Sequence, residues 1–321
     1  RAANLWKCWN RNTLEMKSEK YMRMQLKEIH NKTKVVIMDR VKKQNVIVIL
    51  LALLACVGMV SCGDDETFIV GKPSNVFSNV SPKIVGKYSI YYDEKGRVSL
   101  VTECDEYGCR KAFFDYSPAD KDCDVRIDIA EENYDEKLSL HVSLNKNGYA
   151  EYVNEIEDDD IEEWKFEYNS NGQLIKMVRS EGGIETTTIT YQEGDIAKVV
   201  QESKFDDSST SSTIEYGTEK IENKGGVMLF DEMLCIDMDE MGFAYFAGLL
   251  GRPTSHLPQS NKSIDYSSGG YKITTYKSFS WSLDANRLPV SVLIEEKYDN
   301  TTPYTKTYSF DWGELSNNYN Q

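Results

Sequence analysis

Histidine is scarce in this 321-residue chain: three in all, of which only His141 and His256 lie beyond position 62. No Cys-x-x-Cys occurs either, so the ligand set of a structural zinc site is missing. His-Glu-x-x-His, Gly-x-Ser-x-Gly, a P-loop and a Gly-rich dinucleotide loop are all absent. These gaps argue against an enzyme and against a cofactor or metal. Basic residues are also short. After Cys62 the chain carries 25 Lys and Arg against 48 Asp and Glu, a balance of −23. Nucleic acid and anionic head groups need the opposite sign, so neither is an expected partner. Long apolar runs are limited to one, Val46 to Val60, which is short of the roughly 20 residues of a spanning helix.

That run is the apolar centre of an export signal. Met38 to Asn45 is a short basic segment, Val46 to Val60 is apolar, and Ser61 is small. Met59-Val60-Ser61-Cys62 resembles a bacterial lipobox, which implies lipidation of Cys62 as the first mature residue. Cys56 is a second candidate, but cutting at Cys62 leaves the whole apolar run on the signal side. Gly63-Asp-Asp-Glu66 resembles the acidic surface-export signal of Bacteroidota lipoproteins, with Gly63 where Ser is commoner. The expected location is the outer membrane, held by acyl chains and exposed at the surface. The other readings are an uncleaved anchor and a plain signal peptide. Residues 1–37, basic by nine to three, are read as an over-extended frame ahead of Met38. The alternative is an amphipathic helix over Leu14 to His30.

Beyond Cys62, frequent Tyr and Thr favour strands, and Asn and Gly favour turns. Tyr88-Ser-Ile-Tyr-Tyr92, Asp93-Glu-Lys-Gly96 and Arg97 to Val101 form one unit of alternating strand, polar turn and strand. The unit returns at Leu138 to Tyr149, Trp164 to Ile175, Thr188 to Ile196 and Phe279 to Leu288. Period-two alternation puts one face inward. Gly or Asn accepts the positive φ of a tight turn, and Asp93, Asn145, Asn169 and Asp284 can cap it with their side chains. The unequal spacing argues against a strict solenoid or propeller. The predicted fold is therefore all-β: a long antiparallel meander of hairpins rolled into an open or partial barrel.

The predicted organisation is a signal peptide over 38–61, a flexible tether over 62–86, one β-meander domain over 87–312 and a tail over 313–321. Cys104 and Cys109 flank a turn sequence and are the candidate disulfide; two free thiols are the other reading. Glu155 to Glu163 is read as a solvated loop rather than a calcium loop, because it lacks the Gly and the ligand spacing. Phe205 to Ser212 is read as a polar hairpin loop. Asp239 to Leu250 has helical spacing, with Asp239 as N-cap and Gly251 as stop. Phe243, Phe246, Ala247 and Leu250 would share its face, as a plug on the open side of the sheet or, alternatively, as the grip on an apolar ligand. Arg252 to Pro258 is read as an irregular loop.

The Tyr-x-Tyr-Asp-x-x-Gly-Arg type of hairpin resembles the YD-type units of Bacteroidota surface proteins. The helix followed by Ala247-Gly-Leu-Leu-Gly-Arg-Pro-Thr-Ser-His-Leu-Pro258 resembles a landmark of one family, an uncharacterised Bacteroidota lipoprotein family described as having a porin-like fold. The resemblance implies a rolled antiparallel sheet and carries over no catalytic residue. The strands lack the apolar lipid-facing alternation of a true outer-membrane barrel. The expected function is a non-enzymatic binding or scaffold module at the cell surface, for a glycan, peptide or protein. The alternatives are a carrier of an apolar ligand in a half-barrel and a carboxylate-based glycosidase.

Overall fold

The computed structural model describes residues 70–71, 76–77 and 80–314, apart from 105–107, 120–121, 133–137, 158–159, 181–182, 206 and 300. The export signal, Cys62 and the segment before them lie outside the described residues. Twelve strands come first: β1 (Val80–Val85), β2 (Tyr88–Tyr92), β3 (Val98–Cys104), β4 (Cys109–Asp115), β5 (Val125–Glu131), β6 (Leu138–Leu144), β7 (Ala150–Glu157), β8 (Asp160–Tyr168), β9 (Leu174–Arg179), β10 (Glu185–Gln192), β11 (Asp195–Ser203) and β12 (Ser208–Glu215). An insert follows. It holds β13 (Ile221–Glu222), a π turn at Phe230–Leu234, a 3-10 turn at Asp239–Met241, the helix α1 (Gly242–Phe246) and β14 (His256–Leu257). The strands β15 (Ser260–Tyr266), β16 (Lys272–Leu283), β17 (Pro289–Tyr298) and β18 (Tyr304–Glu314) complete the chain.

Sixteen of these strands pair antiparallel, each with its neighbours in sequence, and β12 pairs with β15 across the insert. The predicted meander is present, and its sheet closes fully rather than in part: β1 pairs with β18 from Val80–Glu314 to Val85–Phe310. Closure removes both edges, which a free sheet would expose to other chains. It also moves a boundary. The end of the stretch expected as tether is strand β1, and Val76 and Phe77 are buried in the core. The barrel likewise runs on to Glu314, past the expected limit at 312.

Repeated turn chemistry builds one end of the barrel. Asp93 Oδ1 accepts the backbone N–H of Lys95 and Arg97; Asn145 does the same for Asn147 and Tyr149, Asn169 for Asn171 and Gln173, and Asp284 for Asn286 and Leu288. The fourth turn residue is left-handed, at φ 73° in Gly96 and 75° in Gly148 and Gly172. In the turn that starts at Asp284, Arg287 takes that conformation, at φ 65°. A register shift follows each turn, so every copy is a hairpin with a bulge.

A barrel of this strand number encloses more space than its own side chains can fill. The insert fills it. Its residues touch the wall from opposite sides: Tyr88 of β2 packs edge-on against Phe243, the Ala150 N–H of β7 donates to Leu249 O, and Asn261 of β15 donates to Met233 O. Helix α1 is buried on all sides, as a helix surrounded by core must be. Phe243, Phe246, Ala247 and Leu250 are all buried, inside a closed barrel and not over an open sheet. The helix is shorter than expected. Asp239 is not its N-cap but the start of the 3-10 turn, and helical geometry ends at Ala247 with Gly248 left-handed, before Gly251. Part of the expected Arg252–Pro258 loop pairs instead as β14 with β13.

Candidate functional site

Side-chain parity continues along each strand from the turn end to the opposite end, but polarity changes on the way. On β16 the inward series is Leu283, Trp281, Phe279, then Lys277 and Thr275; on β17 it is Val292, Ile294, then Glu296 and Tyr298. On β8 it runs from Phe166 and Trp164 to Glu162. The result is an apolar half around the plug and a polar mouth above it.

The tip of the plug is acidic, and wall cations meet it. Arg110 Nη1 lies 2.9 Å from Glu240 Oε1, Lys87 Nζ 3.6 Å from Glu232 Oε1, and Arg179 Nη1 3.5 Å from Asp239 Oδ2. Lys277 Nζ donates to Glu232 O at 2.9 Å. Burial and the neighbouring Asp239 push the Glu240 carboxyl up, against the pull of Arg110. On the wall, Glu155 and Glu162 are direct partners across β7 and β8, and Glu155 accepts the Trp164 indole N–H at 2.8 Å. Burial, then the Glu155 charge, raise the Glu162 carboxyl to about 7. The acidic run expected as a solvated loop is therefore largely strand, and alternate carboxylates of it face the lumen. The polar run at 205–212 is likewise mostly strand, since β12 starts at Ser208.

Over the arc formed by β11, β12, β15, β16 and β17 the mouth holds a cavity of about 250 Å³. Its wall is Gln201, Thr210, Ser263, Asp265, Thr275, Lys277, Glu296 and Tyr298, and its floor is Asp231, Cys235 and Asp237 of the plug. Thr210 Oγ1 donates to Asp265 Oδ1 at 2.6 Å, Gln201 Nε2 to Glu185 at 2.8 Å, and Tyr304 OH to Glu296 Oε2 at 2.5 Å. Tyr298 and Tyr304 stack with centroids 6.3 Å apart at the rim, both substantially exposed. Burial and the charge of Glu232 raise the Asp231 carboxyl above the usual range. The cavity is polar. The helix face considered as a grip for an apolar ligand is packed, with Phe243 1% and Phe246 2% exposed. Among the described residues no cluster of His, Cys, Asp and Glu has the geometry to hold a metal ion.

Cys104 and Cys109 face each other across β3 and β4 at the mouth, with Cα atoms 4.2 Å apart and their sulfurs joined. None of the cavity residues was picked out from sequence. The available signal was parity: Lys277 and Glu296 sit at the same inward positions as Phe279 and Ile294, where a solvated charge has no place.

A family model described as a domain of unknown function (DUF4595) with porin-like fold matches residues 90–291. The chain belongs to this family. Two solved porin-like proteins align with the chain. One, from Bacteroides uniformis, aligns with a TM-score of 0.55 and 16% identity over 76% of this chain and 99% of that one. The other, from Bacteroides vulgatus, aligns with a TM-score of 0.46 and 18% identity over 74% and 99%. No curated protein matches. In this member of the porin-like family the lumen between the strands is filled by its own insert. Outward positions are rich in Ser, Thr, Lys and Glu, as in Glu163, Lys165 and Glu167 of β8. A lipid-spanning barrel would show an apolar band there.

Proposed function

We propose that the protein is a lipid-anchored module of the outer-membrane surface that binds its ligand without transforming it, and that the ligand enters the polar mouth of the barrel. One observation carries this reading: the plug fills the apolar half of the lumen and stops short of the mouth, where a cavity with polar walls and a stacked tyrosine pair remains open. A filled lumen argues against a conducting pore, and polar walls argue against an apolar cargo. Glycans and peptides both present the hydroxyls, amides and charges that such a wall recognises. The porin-like relatives from Bacteroides are compatible with an outer-membrane location, and the Cys62 motif supplies the anchor.

Two experiments test the reading. Purified protein is screened against glycan and peptide arrays beside a Ser263→Trp variant, which fills the cavity with an indole. Saturable binding that the variant loses supports the module; binding retained by the variant places the ligand elsewhere and overturns the site. Membrane fractionation of Cys62→Ser tests the anchor: release into the soluble fraction is expected, and unchanged retention would reject Cys62.

A further inference from the structure

Around the rest of the lumen, wall cations meet the carboxylates of the plug tip. Arg110, Arg179 and Lys87 each face a carboxylate of the plug tip. Over the cavity arc the wall itself turns acidic. Asp265 and Glu296 project from β15 and β17 toward the same space as Asp231 and Asp237 of the plug. Among the lining residues Lys277 is the one cation, and it is already engaged: its Nζ reaches the carbonyls of Asp231 and Glu232 and lies 3.9 Å from Glu296. Asp237 also lies 3.8 Å from the Arg179 guanidinium, which leaves Asp231, Asp265 and Glu296 against the one occupied ammonium, and the site is negative.

The hydrogen-bond inventory has the same sense. The Gln201 amide nitrogen and the Thr210 hydroxyl are directed at protein carboxylates. The polar atoms without a protein partner include acceptors. Asn261, 2% exposed, donates its Nδ2 to the Cys235 sulfur in the cavity floor, and its Oδ1 is unpartnered. Ser212, fully buried on the lumen face opposite Ser263, has an unpartnered Oγ that can accept or donate. The aromatic faces of Tyr298 and Tyr304 at the rim add a second preference for positive charge, since a cation near a ring face is attracted by its quadrupole.

We propose that the mouth cavity recognises a cationic nitrogen group, an ammonium or guanidinium, which donates hydrogen bonds to Asp265 and Glu296 of the wall and Asp231 of the floor beneath the Tyr298–Tyr304 pair. The inference rests on the reading of the mouth as a binding site and names the chemistry that the site selects. A cavity of about 250 Å³ suits one side chain or one small amine, not a folded partner. Source and chemistry are separable: the group is carried either by a peptide side chain or by a free amine.

The test is titration calorimetry of the purified protein with four probes: Nα-acetyl-lysine amide, Nα-acetyl-norleucine amide as its uncharged counterpart, Nα-acetyl-arginine amide and n-butylamine. The expected result is that the lysine or arginine amide binds at least tenfold more tightly than the norleucine amide, and that Asp265→Asn and Glu296→Gln each weaken binding about tenfold. Comparing probes on unaltered protein keeps the test valid even where a variant folds poorly. Equal affinity for n-butylamine and the lysine amide would assign a free amine; clear preference for the amides would assign a peptide. Equal affinity for lysine and norleucine amides would overturn the inference. So would binding of a neutral glycan alone that Ser263→Trp abolishes, which would leave the mouth as a binding site of another chemistry. Absence of any ligand at the mouth in both screens would remove the inference and the binding site together.

Discussion

The two ends of the barrel are made by the same strands and behave as different materials. At the turn end four hairpins reuse one turn, the inward side chains are Leu, Ile, Val, Phe and Trp, and the insert packs against them. At the mouth the connections vary in length, and the inward positions are Glu, Arg, Lys, Thr and Tyr. The comparison shows that period-two alternation fixes only which face is inward. A second pattern, the polarity of the inward series read lengthwise, sets how deep the core reaches. Stability is concentrated where that series is apolar, and chemistry is left where it is not.

The comparison is broken most directly at the plug. Phe243→Ala removes a ring that packs on Tyr88 and under the Arg110 guanidinium, and should cost about 3–5 kcal/mol in urea unfolding. A loss under about 1 kcal/mol would mean that the insert is not the core of the barrel. Asn169→Ala deletes the acceptor of two backbone N–H groups in one turn; about 1–2 kcal/mol should be lost, at every pH. A pH-dependent loss would contradict a purely local cap.

Glu162→Gln sharpens the contrast, because its effect should depend on pH. Burial, then the Glu155 charge, push the folded carboxyl from its ordinary 4.5 up to about 7. The native state therefore holds a proton that the unfolded chain releases first, and stability falls as pH rises between those values and is lowest above them. Glu162 is only partly buried, so solvent screening reduces the effect, and the variant should gain about 1 kcal/mol at alkaline pH and nothing near the acid end. A gain of equal size at both ends would trace it to packing instead. The smallest effect belongs to Arg287, which is exposed and holds a left-handed backbone where the other turns have Gly. Arg287→Gly should raise the unfolding free energy by about 0.5–1 kcal/mol, and a lowered value would show that the guanidinium stem contributes to the turn.

Much of the fold was legible in the sequence, because its signals are local. The Asx residues at Asp93, Asn145, Asn169 and Asp284 announce their turns three or four residues ahead, and the flanking alternation announces the strands. What was missed is non-local. Strand β1 contains Pro82 and an irregular register, so it carries no alternation, and only its pairing with β18 makes it a strand. Asp239 to Leu250 has helical spacing over more residues than the lumen lets coil. The Glu155–Glu163 run looked solvated because composition does not say which carboxylates point inward. The cavity was the least legible part. Its wall draws on five strands and its floor on the insert, and no two of its carboxylates belong to one motif.

The seam between β1 and β18 makes the barrel an all-or-nothing object in time as well as in space. Its first and last strands are direct neighbours, so the last strand must be available before the ring can close. Until then the hairpins can form one by one, because their contacts are local, but the apolar insert has no complete wall around it. A chain cut short before Tyr304 would thus present two open edges and an uncovered core rather than a smaller domain, a species prone to aggregation and proteolysis. The cell would see whole barrels or debris, and few working fragments.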